Sequence, residues 1–132
     1  MSDLSSSRHL ARERALQLFY EAHIKDRRVD EIVAALATTP DDYTLQLLQS
    51  AETNEARALE LIGQNAHDWS VDRLALIDRL VMTLAIGELL MDDAPPVAVV
   101  LDEAVGLAKE YSTDASGSFV NGVLAACVAH LH

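Results

Sequence analysis

Residues 96–131 repeat apolar side chains at three- and four-residue steps, twice, with one short polar break between the runs. Val97, Leu101, Ala104, Ala108 and Tyr111 fall on one helical face. Val120, Leu124, Cys127 and Leu131 do the same in the second run. Residues 112–117 (STDASG) have turn chemistry, and Pro95-Pro96 stands where a helix opens, because the first turn has no use for the missing N–H. So short a connection makes the two helices antiparallel neighbours whose apolar faces meet. The rest of the chain follows the same period. It has five glycines and three prolines, each proline where a helix would begin or stop, and strand signals are nearly absent. The predicted class is all-α, in one domain of 132 residues with enough chain to bury a core.

Ahead of the hairpin, residues 1–7 read as a loose arm with Ser7 as a cap. A first helix is predicted over 8–23, with Ala11, Ala15, Leu18 and Ala22 as its core stripe, widened by Phe19. Leu16 and Tyr20 form a second apolar face, flanked by Glu13, which suits either burial between elements or an interface. After a polar connector at 24–28, a short helix is expected over 29–37, with Val29, Ile32, Val33 and Leu36 inward. Thr39 as cap, Pro40 in the first turn, and Asp41 and Asp42 at the positive end then begin a helix running to about residue 62. Its stripe is Leu45, Leu48, Ala56, Leu59 and Ile62, with Gly63 as the stop. Ser70 caps the next helix, and Trp69 can pack on Leu74 as a hydrophobic staple. Its stripe is Leu74, Ile77, Val81, Leu84 and Ala85. The expected architecture is an amino-terminal sub-bundle of about three helices (8–63) and a carboxy-terminal one of three or four (68–132).

The formal charge of −11 argues against a general nucleic-acid binder. Its distribution is uneven. Arg8, Arg12, Arg14, Lys25, Arg27 and Arg28 against Asp3, Glu13, Glu21 and Asp26 leave the first 28 residues at +2 and the remainder at −13. Any RNA contact is therefore expected near the amino-terminal end. The lone Cys127 sits on an apolar stripe and reads as a small buried hydrophobe. The polar opening MSDLSSS lacks a signal peptide, and no apolar run reaches the ~20 residues of a membrane span; a cytoplasmic protein is expected. No catalytic constellation is visible. Ser5 to Ser7 lie near His9 with no third group, and no glycine-rich loop precedes a helix. His130 and His132 have no metal-ligand spacing around them and read as surface histidines. No cofactor or metal is expected.

Two spots resist a purely structural reading. Arg8 and Arg12 stand one turn apart at a helix amino terminus, where they oppose the macrodipole at a cost of a few tenths to about 1 kcal/mol. An anion there would meet exposed N–H groups and guanidinium forks together; the alternative is an ordinary solvated basic patch. Glu88 falls in the centre of an apolar stripe, where a carboxylate costs desolvation unless it is paired. Either the helix end is exposed, or Glu88 bonds a neighbouring Tyr or Arg, or it belongs to a partner-binding face.

The wording of several stretches is more specific than their pattern. Leu101-Asp102-Glu103-Ala104-Val105 with Leu107-Ala108-Lys109, then Phe119-Val120-Asn121-Gly122-Val123-Leu124, resembles the signature of the NusB family of bacterial RNA-binding antitermination factors. Ala11-Arg12-Glu13 through Gln17 to Tyr20, and Asp78-Arg79 through Leu84-Ala85 to Glu88-Leu89, resemble it in the same order. The resemblance covers nearly the whole chain. It implies a NusB-like fold that binds boxA-type single-stranded RNA in ribosomal RNA leader transcripts, together with the small-subunit ribosomal protein NusE in the RNA polymerase antitermination complex. It implies RNA contacts at Arg8, His9, Arg12 and Phe119, with Asn121 bonding a base edge or only backbone, and a partner contact at Tyr20 and Glu88. From the residues alone, Phe119 suits either base stacking or the hairpin core.

Some positions depart from the family pattern. Ser118 stands where lysine is common, Leu10 where another basic residue is frequent, Thr83 and Gly87 where Arg and Tyr are usual, and Asp102 where Asn is usual. The first two weaken phosphate contacts. Two other readings stay open: the same fold as a dimerisation or interaction module with little RNA binding, and an RNA-positioning domain related to one fused to ribosomal RNA cytosine methyltransferases. The first reading predicts one positive corner, built by the first helix and the last hairpin.

Overall fold

The computed structural model describes residues 3–67 and 71–131. Among them the chain is all helix and loop: α1 (Asp3–Lys25), α2 (Val29–Ala34), α3 (Asp42–Thr53), α4 (Glu55–Asn65), a single 3₁₀ turn (Val71–Arg73), α5 (Leu76–Leu89), α6 (Val97–Tyr111) and α7 (Asp114–Val128). None of these helices is long and apolar enough to cross a membrane.

The organising element is α5. A helix apolar on all sides must be surrounded, and from Leu80 to Leu89 every residue is buried. α1, α3 and α4 pack on it from the amino-terminal side and α6 and α7 from the carboxy-terminal side, so all share one core. Gly87 makes the α3–α5 crossing close. A Cβ at Gly87 would stand 2.9 Å from the backbone nitrogen of Ala51, and the Ser50 hydroxyl donates to the Gly87 carbonyl at 2.6 Å. The glycine that interrupts the family pattern is thus a packing requirement of this crossing.

Several boundaries differ from those expected. α1 begins at Asp3, so residues 3–7, read as an arm, belong to it and Ser7 is not its cap. The stretch read as one helix to residue 62 is two, broken at Asn54, whose φ of −103° and ψ of 10° leave the helical region. Its side-chain amide donates to the Ser50 carbonyl at 2.9 Å and closes off α3. The break shifts the helical phase. Leu47, Leu48, Ala51, Ala58, Leu61 and Ile62 face the core, whereas Ala56 is exposed. Asp41 caps α3 by accepting from the Thr44 N–H at 2.8 Å, so neither Thr39 nor Pro40 begins it. The hairpin turn is shorter than STDASG, because Thr113 and Ser116 form a capping box and α7 starts at Asp114. Val120, Leu124, Cys127 and Leu131 are all buried as the period requires, and burial pushes the Cys127 thiol pKa up. The cap and staple expected of Ser70 and Trp69 lie outside the described residues.

His23 ties α1 to α4. Its Nε2 lies 2.7 Å from Glu55 and its Nδ1 2.9 Å from the Phe19 carbonyl. Both partners are acceptors, so the ring bonds both only as imidazolium. The hydrogen bond to Glu55, against desolvation, raises the His23 pKa above its ordinary value. A raised folded-state pKa gives stability that is full below the unfolded value near 6.5 and lost as pH rises through the folded one. The thermal midpoint of the wild type is therefore expected to fall relative to His23→Gln as pH rises from 6 to 8. The difference should be a few tenths to about 1 kcal/mol. Parallel melting curves measure it, and identical slopes for the two proteins would exclude the imidazolium bridge.

Candidate RNA and partner interface

The amino-terminal basic residues were the first expected contacts, and the fold gives each a different fate. Arg12 is buried, with 7% of its surface exposed. Its Nε and Nη2 donate to Glu88 at 2.9 and 2.6 Å, and its Nη1 donates to Glu103 at 3.1 Å. Desolvation opposes its charge, but the hydrogen bonds and attraction of Glu88 with Glu103 outweigh it, and the Arg12 pKa is raised. The Tyr43 hydroxyl donates to the same Glu88 carboxylate. Burial first, then that hydrogen bond, pushes the Tyr43 pKa up to about 12. Arg12 therefore joins α1 to α5 and α6 and does not offer its guanidinium to a phosphate.

His9 remains exposed, but its Nδ1 lies 3.0 Å from Glu103 and its Nε2 3.7 Å from Glu13. The hydrogen bond to Glu103 raises its pKa. The same carboxylates neutralise the imidazolium locally, so a phosphate would have to compete with them. Arg8 is the freest of the three. Its guanidinium carbon stands 4.7 Å over the Tyr43 ring in a cation–π geometry, with its Nε closed to solvent and without a partner among the described residues. It lines an open groove with Gln46, Gln49 and Asn54 of α3 and its end, and with Leu90 and Asp92 beyond α5.

Phe119 lies elsewhere. It is half-buried in the second turn of α7 and shares an open pocket of about 230 Å³ with Arg73, Leu74, Ala75 and Asp78. That pocket adjoins the beginning of α5, whereas Arg8 adjoins the loop after its end. Fourteen residues at about 1.5 Å each separate the two ends by roughly 20 Å. The single positive corner expected of the first helix and last hairpin is therefore absent; the residues form two separated patches. Asn121 is exposed, but two residues along a helix is roughly 200° of rotation, so it does not share the Phe119 face.

The proposed partner residues also part company. Glu88, 2% exposed, is the buried counter-ion of Arg12 and touches no surface. Tyr20, 40% exposed, stands on the outer face of α1 with Leu10 and Ile24, both more exposed still, while Leu16 turns into the core. Sequence reasoning missed Tyr43 and Glu103, the remaining members of the Arg12 network. Among the described residues no group of His, Cys, Asp and Glu is arranged to hold a metal.

Comparison with known proteins agrees with this architecture. Residues 9–129 match the model of the NusB family. The chain is 40% identical over 129 residues to the transcription antitermination protein NusB of Streptomyces griseus, covering 91% of this chain and 90% of that one. It is 39% identical over 122 residues to the NusB of Thermobifida fusca, covering 89% and 86%. In structure it is similar to T. maritima NusB, with a TM-score of 0.81 and 28% identity over 92% of this chain and 90% of that one. It shares the fold of a structure of antitermination factors NusB and NusE in complex with dsRNA, with a TM-score of 0.79 and 24% identity over 95% and 98%.

Proposed function

The chain belongs to the NusB family, and from that membership we propose that it binds boxA-type single-stranded RNA in ribosomal leader transcripts together with the ribosomal protein NusE, as part of the RNA polymerase antitermination complex. The observation that supports RNA binding most directly is Phe119. Its ring packs against the edge of the core but is only half-buried, and it borders an open pocket with the exposed Arg73 at its rim. An aromatic face with a cation beside it is what a splayed base and its phosphate need. Arg8, and His9 when protonated, would hold the backbone further along the strand, so the RNA would run between two patches. Arg12 acts as a positioning residue that fixes α1 and, through it, Arg8. Asn121 lies on another side of α7 and would contact backbone at most.

The protein partner would dock on the outer face of α1, against Leu10, Tyr20 and Ile24. Glu88 would act there only by holding Arg12. No covalent chemistry is involved; two weak sites on one body raise the affinity of each partner for the assembly. The same exposed face suits self-association, which sedimentation with and without RNA and NusE distinguishes from partner binding.

Fluorescence titration of labelled boxA-type RNA, with and without NusE, tests the reading. Two or three phosphate contacts predict a log–log salt slope between about −1.4 and −2, at about −0.7 per phosphate on a single strand. Phe119→Ala should weaken binding by about 1–3 kcal/mol of stacking without changing that slope. An affinity that does not vary with salt, or one indifferent to Phe119, would overturn the assignment.

A further inference from the structure

Asp78 is the one buried carboxylate left half-satisfied among the described residues. It is 7% exposed; its Oδ2 accepts from the Ser116 hydroxyl at 3.0 Å, and its Oδ1 has no partner. Ser116 is itself held by the α7 capping box, accepting from the Thr113 N–H and bonding the Thr113 hydroxyl at 2.9 Å. The carboxylate is thereby pinned by one oxygen while the other stays free. An unmet buried acceptor costs about 1–3 kcal/mol and calls for a reason. Asp78 lines the same pocket as Phe119 and Arg73. Its free oxygen is closed to solvent, so a base reaches it only if the pocket wall, to which the half-buried Phe119 belongs, moves aside.

We propose that Asp78 is a specificity residue of the RNA site, accepting a hydrogen bond through Oδ1 from the exocyclic amino group of a cytosine, adenine or guanine stacked on Phe119. This rests on the RNA-binding reading above. The charge pattern favours an amino-bearing base. A uracil would turn a carbonyl oxygen toward the carboxylate, and its ring N–H lies between two such oxygens. Arg73, at the rim, would take the adjoining phosphate. Phe119 supplies affinity for any base, and Asp78 supplies the choice among them.

The test compares short oligocytidine with the same oligonucleotide carrying N4,N4-dimethylcytidine, which stacks equally but donates nothing. The wild type should bind the unmodified strand about 10-fold more tightly, the range expected for one hydrogen bond to a charged acceptor. Asp78→Asn, confirmed folded by circular dichroism, turns a donor into the pocket and should abolish that ratio while Phe119→Ala lowers both affinities alike. Because the dimethyl comparison needs no variant, it stands even if Asp78→Asn fails to fold. Equal wild-type affinity for the two strands, or a ratio retained in Asp78→Asn, would overturn the role of Asp78 and leave RNA binding intact. Failure to bind oligocytidine, oligouridine and boxA-type RNA alike would overturn both.

Discussion

Arg12→Ala is expected to lower the unfolding free energy by about 3–5 kcal/mol, the range for removing one partner of a buried ion pair. The cost comes less from the lost contact than from what stays behind. Glu88 is 2% exposed, and without the guanidinium its one remaining donor among the described residues is the Tyr43 hydroxyl. Glu103, partly solvated, can turn outward. A domain of this size holds about 5–15 kcal/mol in total, so the variant should be marginally folded. Urea titration followed by circular dichroism measures the loss. Replacing the pair together, as Arg12→Met with Glu88→Leu, should recover most of it, because an apolar pair leaves no charge in the core. The salt slope of RNA binding should not change in the double variant, because the Arg12 guanidinium is turned onto Glu88 and Glu103 rather than toward solvent. A shallower slope in the double variant, with stability preserved, would restore Arg12 to the RNA site.

Gly87→Ala should destabilise by up to about 2 kcal/mol, although alanine is the better helix former. Propensity alone favours the change by ~1 kcal/mol. The added methyl, however, meets the Ala51 nitrogen at 2.9 Å and its Cα at 3.0 Å, and backbone cannot swing aside as a side-chain tip can. α3 and α5 must separate, which strains the Ser50–Gly87 hydrogen bond and costs about 1–3 kcal/mol before the propensity gain. Gly106 and Gly122 are the controls. Both lie in helices, both are exposed, and a Cβ at either meets nothing within 4 Å. Alanine there should stabilise by up to ~1 kcal/mol. Opposite signs for the same substitution would locate the effect in the helix crossing.

The carboxy-terminal hairpin was legible because its signals are local. Pro96 precedes a helix, and the buried positions of α7 follow directly from spacing. The spacing gives α5 one apolar stripe, whereas the fold buries it on every side from Leu80 to Leu89; Glu88 is legible as a residue needing a partner from its place in that stripe. The identity of the partner was not legible, because Arg12 lies 76 residues away and only the fold brings them together. The Asn54 break escaped notice for a related reason. Neither proline nor glycine marks it, and the apolar spacing on either side suits one helix until the phase change is seen in three dimensions. The site shows the same limit. Phe119 stands out locally as an aromatic beside the hairpin turn, whereas its separation from Arg8 by the length of α5 is a fact of topology that no local pattern encodes.

The reach of the Arg12 network along the chain has a consequence for biosynthesis. Its acceptors lie 76 and 91 residues downstream, at Glu88 and Glu103. A nascent chain leaves the ribosome amino terminus first. Until α5 emerges, the guanidinium of the leading helix has no carboxylate to dock on, and its apolar face has no central helix to cover it. The leading segments must therefore wait, unlocked, for most of the polypeptide to be made, and then close in one late cooperative step.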